Sequence, residues 1–162
     1  MRKKIIFSTG GTGGHIFPAI NLMKHFFEKG YEVLLVTDKR GNVFIKDNTE
    51  FKSYVLKTET PTKKNFFKKI FSIIIIIYSI IKSIIVLKKQ KPDLVFGLGG
   101  YVSFPISFAS IFFNIPLVIY ENNIVLGRAN KYLSFFSKKI FVANEIEINF
   151  PNRFKGKTIK VG

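Results

Sequence analysis

The sequence predicts an α/β fold in which one parallel β-sheet is covered by helices on both faces. Short apolar segments alternate with segments of helical pattern along the chain. The apolar segments are nearly unbroken in Ile, Leu, Val and Phe, which is typical of strands buried on both faces of a sheet. Two of them run directly into glycine clusters, which favours ligand binding at the carboxyl ends of those strands.

The first part of the chain predicts three strands and one helix. Lys4 to Ser8 is a short apolar segment and predicts the first strand. The helix that follows is expected to have Pro18 in its first turn and Gly30 just past its end, positions that proline and glycine favour. Tyr31 to Thr37 predicts the second strand, and Phe51 to Leu56 predicts the third.

The last part of the chain predicts a further alternation of strands and helices. Pro92 to Phe96 leads a strand into the second glycine cluster. The other predicted elements are a helix from Ser103 to Asn114, a strand from Pro116 to Tyr120, a helix from Gly127 to Phe136, and strands from Lys139 to Ala143 and from Lys157 to Val161. In a parallel sheet the carboxyl ends of these strands share one edge, so the loops that follow them are expected to meet there.

Length and composition limit the class of protein. The chain has 162 residues, of which 47% are hydrophobic, with no cysteine and two histidines. We therefore expect residues 1–162 to form a single domain with a sizeable core. The absence of cysteine excludes disulfides, a cysteine nucleophile and thiolate metal sites, and two histidines exclude a histidine-rich metal centre.

The positive charge points to an anionic partner. The chain has a net charge of +16, with 22 Lys against 4 Arg. Proteins that read nucleic acids favour Arg, because its planar guanidinium group matches phosphates and guanine edges. The excess of Lys therefore favours an anionic lipid surface or an anionic substrate, and no nucleic acid partner is predicted.

The stretch from Phe66 to Leu87 predicts a long, apolar helix. Its charge-free part, Ile70 to Ile81, has 12 residues. As a helix this part spans about 18 Å, and we therefore expect it to be too short to cross a hydrocarbon core of about 30 Å. Lys57 to Lys91 contains nine Lys and one Glu. Apolar residues framed by lysines suit contact with a membrane surface, although a helix that covers the sheet also buries an apolar side.

The first glycine cluster, Gly10 to Gly14, predicts a phosphate-binding turn between a strand and a helix. Glycine lets the backbone approach a phosphate closely, and the free amides at the start of the helix attract negative charge. The cluster is not a P-loop, because no Lys-Ser or Lys-Thr pair follows it. A dinucleotide fingerprint would need a third glycine at Ile16, although Asp38 at the end of the second strand keeps this alternative open.

His15 directly follows the first glycine cluster, at the start of the helix. Two interpretations are open from its position alone. It is a candidate general base, or it is a capping residue that bonds to a nearby backbone group.

Two further polar segments end strands at the same predicted edge. Gly97 to Tyr101 repeats the glycine pattern, with the Ser103 hydroxyl nearby. Two phosphate-type loops in one sheet favour a ligand that carries a diphosphate. Glu121-Asn122-Asn123 adds a carboxylate and two amides, groups that can orient sugar hydroxyls.

Three motifs, taken in order and with their spacing, resemble the MurG family over essentially the whole chain. They are Gly10-Gly-Thr-Gly-Gly-His-Ile-Phe-Pro-Ala19, Gly97-Leu-Gly-Gly-Tyr-Val-Ser-Phe-Pro105, and Glu121-Asn-Asn with Gly127 and Asn130. Members of this family are UDP-N-acetylglucosamine:lipid I N-acetylglucosaminyltransferases of peptidoglycan synthesis, and thus serve cell-wall biogenesis, cell shape and cell division. Asn122 departs from the family pattern, which usually has glutamine there.

The resemblance implies a GT-B fold, in which two Rossmann-like domains face each other across a cleft. This chain matches the N-terminal, acceptor-binding domain, and the C-terminal domain that carries most of the UDP-sugar site is expected to be absent from it. The implied reaction is an inverting transfer without a cofactor. It needs no metal-binding Asp-x-Asp sequence, and the chain contains none.

The resemblance also implies roles for individual residues. The two glycine loops would hold the acceptor diphosphate. Thr12, Gly13 and Gly14 would also touch the donor, and Asn123 matches a residue that contacts the donor. His15 and Glu121 match the residues discussed as catalytic, which deprotonate or position the acceptor hydroxyl. The full set of implied substrate-binding residues is Thr12, Gly13, Gly14, Gly99, Gly100, Tyr101, Ser103 and Asn123.

The implied partners are UDP-N-acetylglucosamine, lipid I and an anionic membrane surface. The implied location is the cytoplasmic face of the inner membrane, with the protein bound peripherally through the lysine-framed helix. An alternative is a non-catalytic, membrane-bound subunit that binds the acceptor and recruits a separate donor domain.

Overall fold

A computed structural model of the chain describes residues 2–11, 13–45, 51–58, 66–143 and 151–161. These residues contain one parallel sheet of seven strands in the order β3-β2-β1-β4-β5-β6-β7. The strands are β1 (Lys4–Ser8), β2 (Glu32–Thr37), β3 (Lys52–Val55), β4 (Leu94–Gly97), β5 (Leu117–Glu121), β6 (Lys139–Val142) and β7 (Thr158–Lys160). The predicted α/β class and all seven predicted strands are confirmed.

Five α-helices connect the strands within the described residues. They are α1 (Gly13–Glu28), α2 (Lys39–Val43), α3 (Phe66–Gln90), α4 (Ser103–Ile111) and α5 (Arg128–Leu133). The short helix α2 was not predicted, because five residues are too few to show a helical pattern. It begins where the Asp38 carboxylate accepts a hydrogen bond of 2.8 Å from the Gly41 amide. A 3-10 turn at Asn152–Lys157 was also missed.

The strand order places a crevice between β1 and β4. The sheet grows from β1 toward β3 in one direction and from β4 toward β7 in the other. The connections that leave β1 and β4 therefore run to opposite faces of the sheet, and the gap between them is the usual ligand site of such folds. Ser8 pairs with Gly97 at the ends of the two strands. Both glycine clusters therefore start at the same edge, as predicted.

Two cores lie on the two faces of the sheet. Alternate residues of β1 separate them, with Ile6 in one core and Ile5 and Phe7 in the other. Helix α1 covers the second core through Ile16, Ala19 and Met23. Helices α3, α4 and α5 cover the first core, to which they contribute Val86, Leu87, Ile106, Ala109 and Leu133. This double cover explains why the strands are apolar on both sides.

Helix α1 begins earlier than predicted. It starts at Gly13, so Pro18 lies inside the helix rather than in its first turn. Because proline has no backbone N–H, the Gly14 carbonyl, four residues earlier, has no donor within the helix. The side-chain amide of Asn122 donates to this carbonyl instead.

Helix α3 buries its small polar residues and exposes its large apolar ones. Ser72, Ser79 and Ser83 are buried, and the helix packs mainly against α4. The Ser83 hydroxyl donates to the Ser79 carbonyl at 2.7 Å, and the Ser79 hydroxyl donates to the Lys57 carbonyl. Five isoleucines of the same helix are 44–56% exposed, namely Ile73, Ile74, Ile77, Ile81 and Ile85.

The expectation that this helix is too short to cross a membrane was wrong. It counted only the charge-free residues, but the helix continues through Lys82 without a break. The segment Lys69–Gln90 has 22 residues and is long and apolar enough to cross a membrane by length and composition. The same helix contributes Val86 and Leu87 to the core of the domain. Length and composition therefore do not decide between a spanning and a packed helix.

Candidate functional site

The two glycine loops touch each other at the crevice. The Gly10 amide donates a hydrogen bond of 3.2 Å to the Gly99 carbonyl. A β-carbon at Gly100 would lie 2.9 Å from both the amide nitrogen and the α-carbon of Gly10. Gly99 and Gly100 also have φ values of +90° and +77°, which other residues rarely adopt. Both the contact and the backbone conformation therefore require glycine at position 100.

His15 lies against the second glycine loop. Its imidazole Cε1 atom is 3.5 Å from where a β-carbon of Gly99 would be. Its Nδ1 atom is buried and has no hydrogen-bond partner among the described residues. A capping histidine would use a ring nitrogen to bond to a backbone group. The described part of the chain contains no such bond from Nδ1.

Glu121 is buried, with 1% of its surface exposed, and its carboxylate accepts four hydrogen bonds. Oε1 accepts from the backbone amide and the side-chain amide of Asn123, at 3.0 and 2.7 Å. Oε2 accepts from the Gly127 amide at 2.8 Å and from Asn130 Nδ2 at 3.0 Å. A carboxylate has about four lone-pair positions, so those of Glu121 are filled. It anchors the loop between β5 and α5.

The anchoring role explains two residues that sequence reasoning did not interpret individually. A β-carbon at Gly127 would lie 3.2 Å from Glu121 Oε2, so glycine leaves room for the carboxylate. Asn130 also donates to the Tyr120 carbonyl at 3.1 Å. The pattern of the sequence shows both residues beside Glu121-Asn-Asn but gives no sign that they converge on one carboxylate.

A cavity of about 150 Å³ brings most of the predicted site residues together. Its lining contains the glycines of the second loop, one imidazole, one phenol, one carboxylate, two carboxamides and one guanidinium. The lining residues are His15, Gly99, Gly100, Tyr101, Glu121, Asn123, Gly127, Arg128, Ala129 and Asn130. Arg128 was missed, because one arginine at a helix start carries no distinctive pattern.

The remaining predicted residues lie beside this cavity or outside the described part of the chain. Ser103 does not line the cavity, and its hydroxyl donates to the Gly100 carbonyl at 2.9 Å. Gly13 and Gly14 form the first turn of α1, and a β-carbon at Gly14 would meet no atom within 4 Å. Thr12 lies outside the described residues. The roles of all these residues in substrate binding stay predictions.

The contacts of Asp38 do not support the alternative of a dinucleotide-binding site. Its carboxylate accepts from the Gly41 amide at 2.8 Å and from Arg40 Nη2 at 2.9 Å. A β-carbon at Gly11 would lie 2.2 Å from Asp38 Oδ1, so the carboxylate packs directly against the first glycine loop. Asp38 therefore begins α2, and its carboxylate is engaged within the protein rather than directed at a ribose.

Known proteins are similar to this chain in sequence and in fold. Residues 5–142 match the family model described as the glycosyltransferase family 28 N-terminal domain. A relative from Pelagibacter ubique is 39% identical over 162 residues, which is 99% of this chain and 44% of that protein. A relative from Rickettsia rickettsii (strain Sheila Smith) is 36% identical over 160 residues, or 99% of this chain and 41% of that protein.

Both relatives are named UDP-N-acetylglucosamine--N-acetylmuramyl-(pentapeptide) pyrophosphoryl-undecaprenol N-acetylglucosamine transferase. The chain thus spans less than half the length of these curated relatives. A crystal structure titled Acinetobacter baumannii MurG superimposes with a TM-score of 0.83 and 27% identity. The superposition covers 98% of this chain and 45% of that chain.

Proposed function

Because the chain belongs to the glycosyltransferase family 28 N-terminal domain family, we propose that it is the acceptor-binding part of an N-acetylglucosaminyltransferase. The complete protein transfers N-acetylglucosamine from UDP-N-acetylglucosamine to the N-acetylmuramyl sugar of lipid I, an undecaprenyl diphosphate, and forms lipid II. The relatives that match 99% of the chain carry this activity in their names. A C-terminal domain is proposed to complete the UDP-sugar site.

The contact between the two glycine loops beside His15 is the main support for this proposal. The carboxyl ends of β1 and β4 bring two glycine-rich segments to within hydrogen-bonding distance. The start of α1 lies next to this junction, and the free amides of a helix start favour a diphosphate. The Arg128 guanidinium lines the same cavity and adds a positive charge.

His15 is proposed as the general base. In the transfer, an acceptor hydroxyl oxygen forms a bond to the anomeric carbon of N-acetylglucosamine, and the bond from that carbon to the UDP oxygen breaks. The hydroxyl proton passes to the base, and UDP leaves with its bonding electrons. His15 suits this role because its side chain lines the cavity next to the second glycine loop.

Glu121 is proposed as a positioning residue rather than as the base. All its lone-pair positions accept hydrogen bonds from the loop that it anchors. To take a proton from a substrate it would have to give up one of these bonds. Its effect on the reaction is therefore proposed to act through Asn123, whose side chain it holds at 2.7 Å.

The outer face of α3 is proposed to dock the protein peripherally on the cytoplasmic face of the inner membrane. Its exposed isoleucines form an apolar strip, and exposed lysines flank that strip at both ends. A lipid-linked acceptor requires the site to be close to a membrane surface. The packing of the serine face against α4 and of the last two turns against the core supports a helix that lies on the surface.

The experiment that tests the function is a transfer assay on the complete polypeptide encoded by the same reading frame. Purified protein is incubated with UDP-N-acetylglucosamine and lipid I in vesicles, and lipid II is detected by chromatography. We expect lipid II to form, and a protein that binds lipid I without transferring the sugar would support the non-catalytic subunit instead. Residues 1–162 alone are expected to give no transfer.

A further inference from the structure

An apolar groove opens beside the candidate active site. It has a volume of about 210 Å³ and lies between three helices. Helix α3 contributes Ile76, the start of α4 contributes Phe104 and Pro105, and α5 contributes Ala129 and Tyr132. None of these five side chains carries a charge, so the groove suits an apolar chain rather than a sugar or a peptide backbone.

The groove and the polar cavity share a wall. Tyr101, Arg128 and Ala129 line both of them. On one side of this wall lie the glycine loops and His15, and on the other side lies the apolar groove. The Arg128 guanidinium is exposed and forms no ion pair with any described residue. A positive charge thus stands at the boundary between a phosphate-type site and an apolar one.

The groove is also continuous with the exposed face of α3. Ile76 lies in the groove, and the neighbouring Ile73 and Ile77 are 44% and 52% exposed on the outside of the same helix. An apolar chain that leaves the groove past Ile76 therefore meets the strip that is proposed to face the membrane. Beyond the wall that contains Arg128, the path from the groove to the outer surface of α3 passes apolar side chains.

We propose that this groove binds the first isoprenyl units of a polyprenyl diphosphate, with the diphosphate on the glycine loops and at Arg128. The inference rests on the proposed function and extends it, because it gives the lipid part of the acceptor a site on the protein. An amphiphile with an anionic head and an apolar tail matches the order of the two cavities and the charge between them. The protein thus recognises the lipid as well as the sugar diphosphate.

The test compares two soluble ligands with the same head group, methyl diphosphate and geranyl diphosphate. Their binding to the 162-residue chain is measured by calorimetry without vesicles. We expect geranyl diphosphate to bind at least about tenfold more tightly, because its apolar chain leaves water. Ile76→Gln should lower the affinity for geranyl diphosphate about fivefold or more, without changing that for methyl diphosphate.

Ile77→Gln is the matched control, since Ile77 is the next residue of the same helix and does not line the groove. It should leave both affinities unchanged. Arg128→Gln should weaken both ligands by a similar factor, because it acts on the head group. If Ile76→Gln does not fold, Tyr132→Gln replaces it, since that side chain is 65% exposed.

Three results would overturn the groove proposal while leaving the proposed function intact. The first is equal affinity of the parent chain for methyl diphosphate and geranyl diphosphate. The second is that Ile76→Gln and Ile77→Gln change the affinity for geranyl diphosphate equally. The third is that Arg128→Gln binds both ligands as tightly as the parent does. Failure of both ligands to bind the parent chain would instead count against the diphosphate site itself, and with it against the proposed function.

Discussion

The Asn122 side-chain amide donates a hydrogen bond of 3.1 Å to the carbonyl of Gly14, which is 108 residues away in the sequence. Gly14 needs this donor because Pro18, four residues later in α1, has no N–H to offer. The bond ties the first turn of α1, where His15 lies, to the loop that follows β5. Because Pro18 inside α1 has no N–H, it leaves an acceptor at Gly14 that joins two parts of the candidate site.

The link between Asn122 and Gly14 predicts an energetic coupling with Pro18. Asn122→Ala should lower the free energy of unfolding by about 0.5–1.5 kcal/mol, as loss of one hydrogen bond does. In a Pro18→Ala background the restored N–H of residue 18 donates to the Gly14 carbonyl. Asn122→Ala should therefore lower the free energy of unfolding less in that background. Urea denaturation of the four proteins gives the coupling as a double-mutant cycle. Strictly additive effects would show that Asn122 does not serve this carbonyl.

Replacement of His15 tests its assignment as the general base. In the complete enzyme, His15→Ala should lower kcat about 10²–10⁴-fold, the usual effect of losing a general base. The KM for UDP-N-acetylglucosamine should change far less, because His15 is proposed to act on the acceptor hydroxyl. Steady-state kinetics with varied donor separates the two constants. A fall in kcat of less than threefold would mean that His15 is not the base.

Glu121→Gln tests whether Glu121 positions the loop. The amide has the same shape, but its NH₂ group would face two of the four present donors. Because these donors are buried, we expect the free energy of unfolding to fall by about 1–3 kcal/mol. Glu121→Asp should also lower the free energy of unfolding, since a shorter side chain cannot reach both Asn123 and Asn130. A variant as stable as the parent but without activity would instead indicate a general base.

The lysines around α3 are expected to hold the protein on anionic membranes. Sedimentation with anionic vesicles should show weaker binding when Lys69, Lys82, Lys88 and Lys89 are changed to Gln, because each lysine near the surface adds up to about 1 kcal/mol. Added salt should weaken the parent without abolishing its binding, since the isoleucines do not respond to salt in that way.

The control for the membrane experiment changes the same number of exposed lysines elsewhere in the chain. Lys24, Lys29, Lys39 and Lys52 are exposed and belong to or adjoin α1, α2 and β3. Their replacement by Gln should leave vesicle binding largely unchanged. If the two sets of substitutions weaken binding equally, only the net charge of the protein matters, and α3 has no special role.

Much of the fold was predictable because the central strands are continuous apolar segments bounded by Gly, Pro or polar residues. The glycine clusters also marked the carboxyl ends of β1 and β4 correctly. The orientation of α3 was not predictable in the same way. Its serines form a stripe that sequence reasoning could place on the helix, but only packing against α4 shows that this stripe is the buried side.

Several residues that meet at the cavity could be predicted from the sequence, but their hydrogen bonds could not. His15 and Glu121 stand beside recognisable motifs, and the structure places both at one cavity. Four donors converge on the Glu121 carboxylate because of the way the chain turns between Asn123 and Asn130. The sequence does not show this turn. The groove next to Arg128 arises from three helices that are distant in sequence, so no local pattern could have indicated it.

The paired glycine loops of this chain are proposed to hold the acceptor diphosphate. The most direct measurement is the binding of lipid I in nanodiscs to the chain and to its Gly100→Ala variant, with Gly156→Ala as control because a β-carbon there meets no atom within 4 Å. We predict that the parent and the control bind lipid I, and that Gly100→Ala loses this binding because its β-carbon would collide with Gly10. Equal binding by all three proteins, or binding of UDP-N-acetylglucosamine without lipid I, would show that the glycine loops do not hold the acceptor.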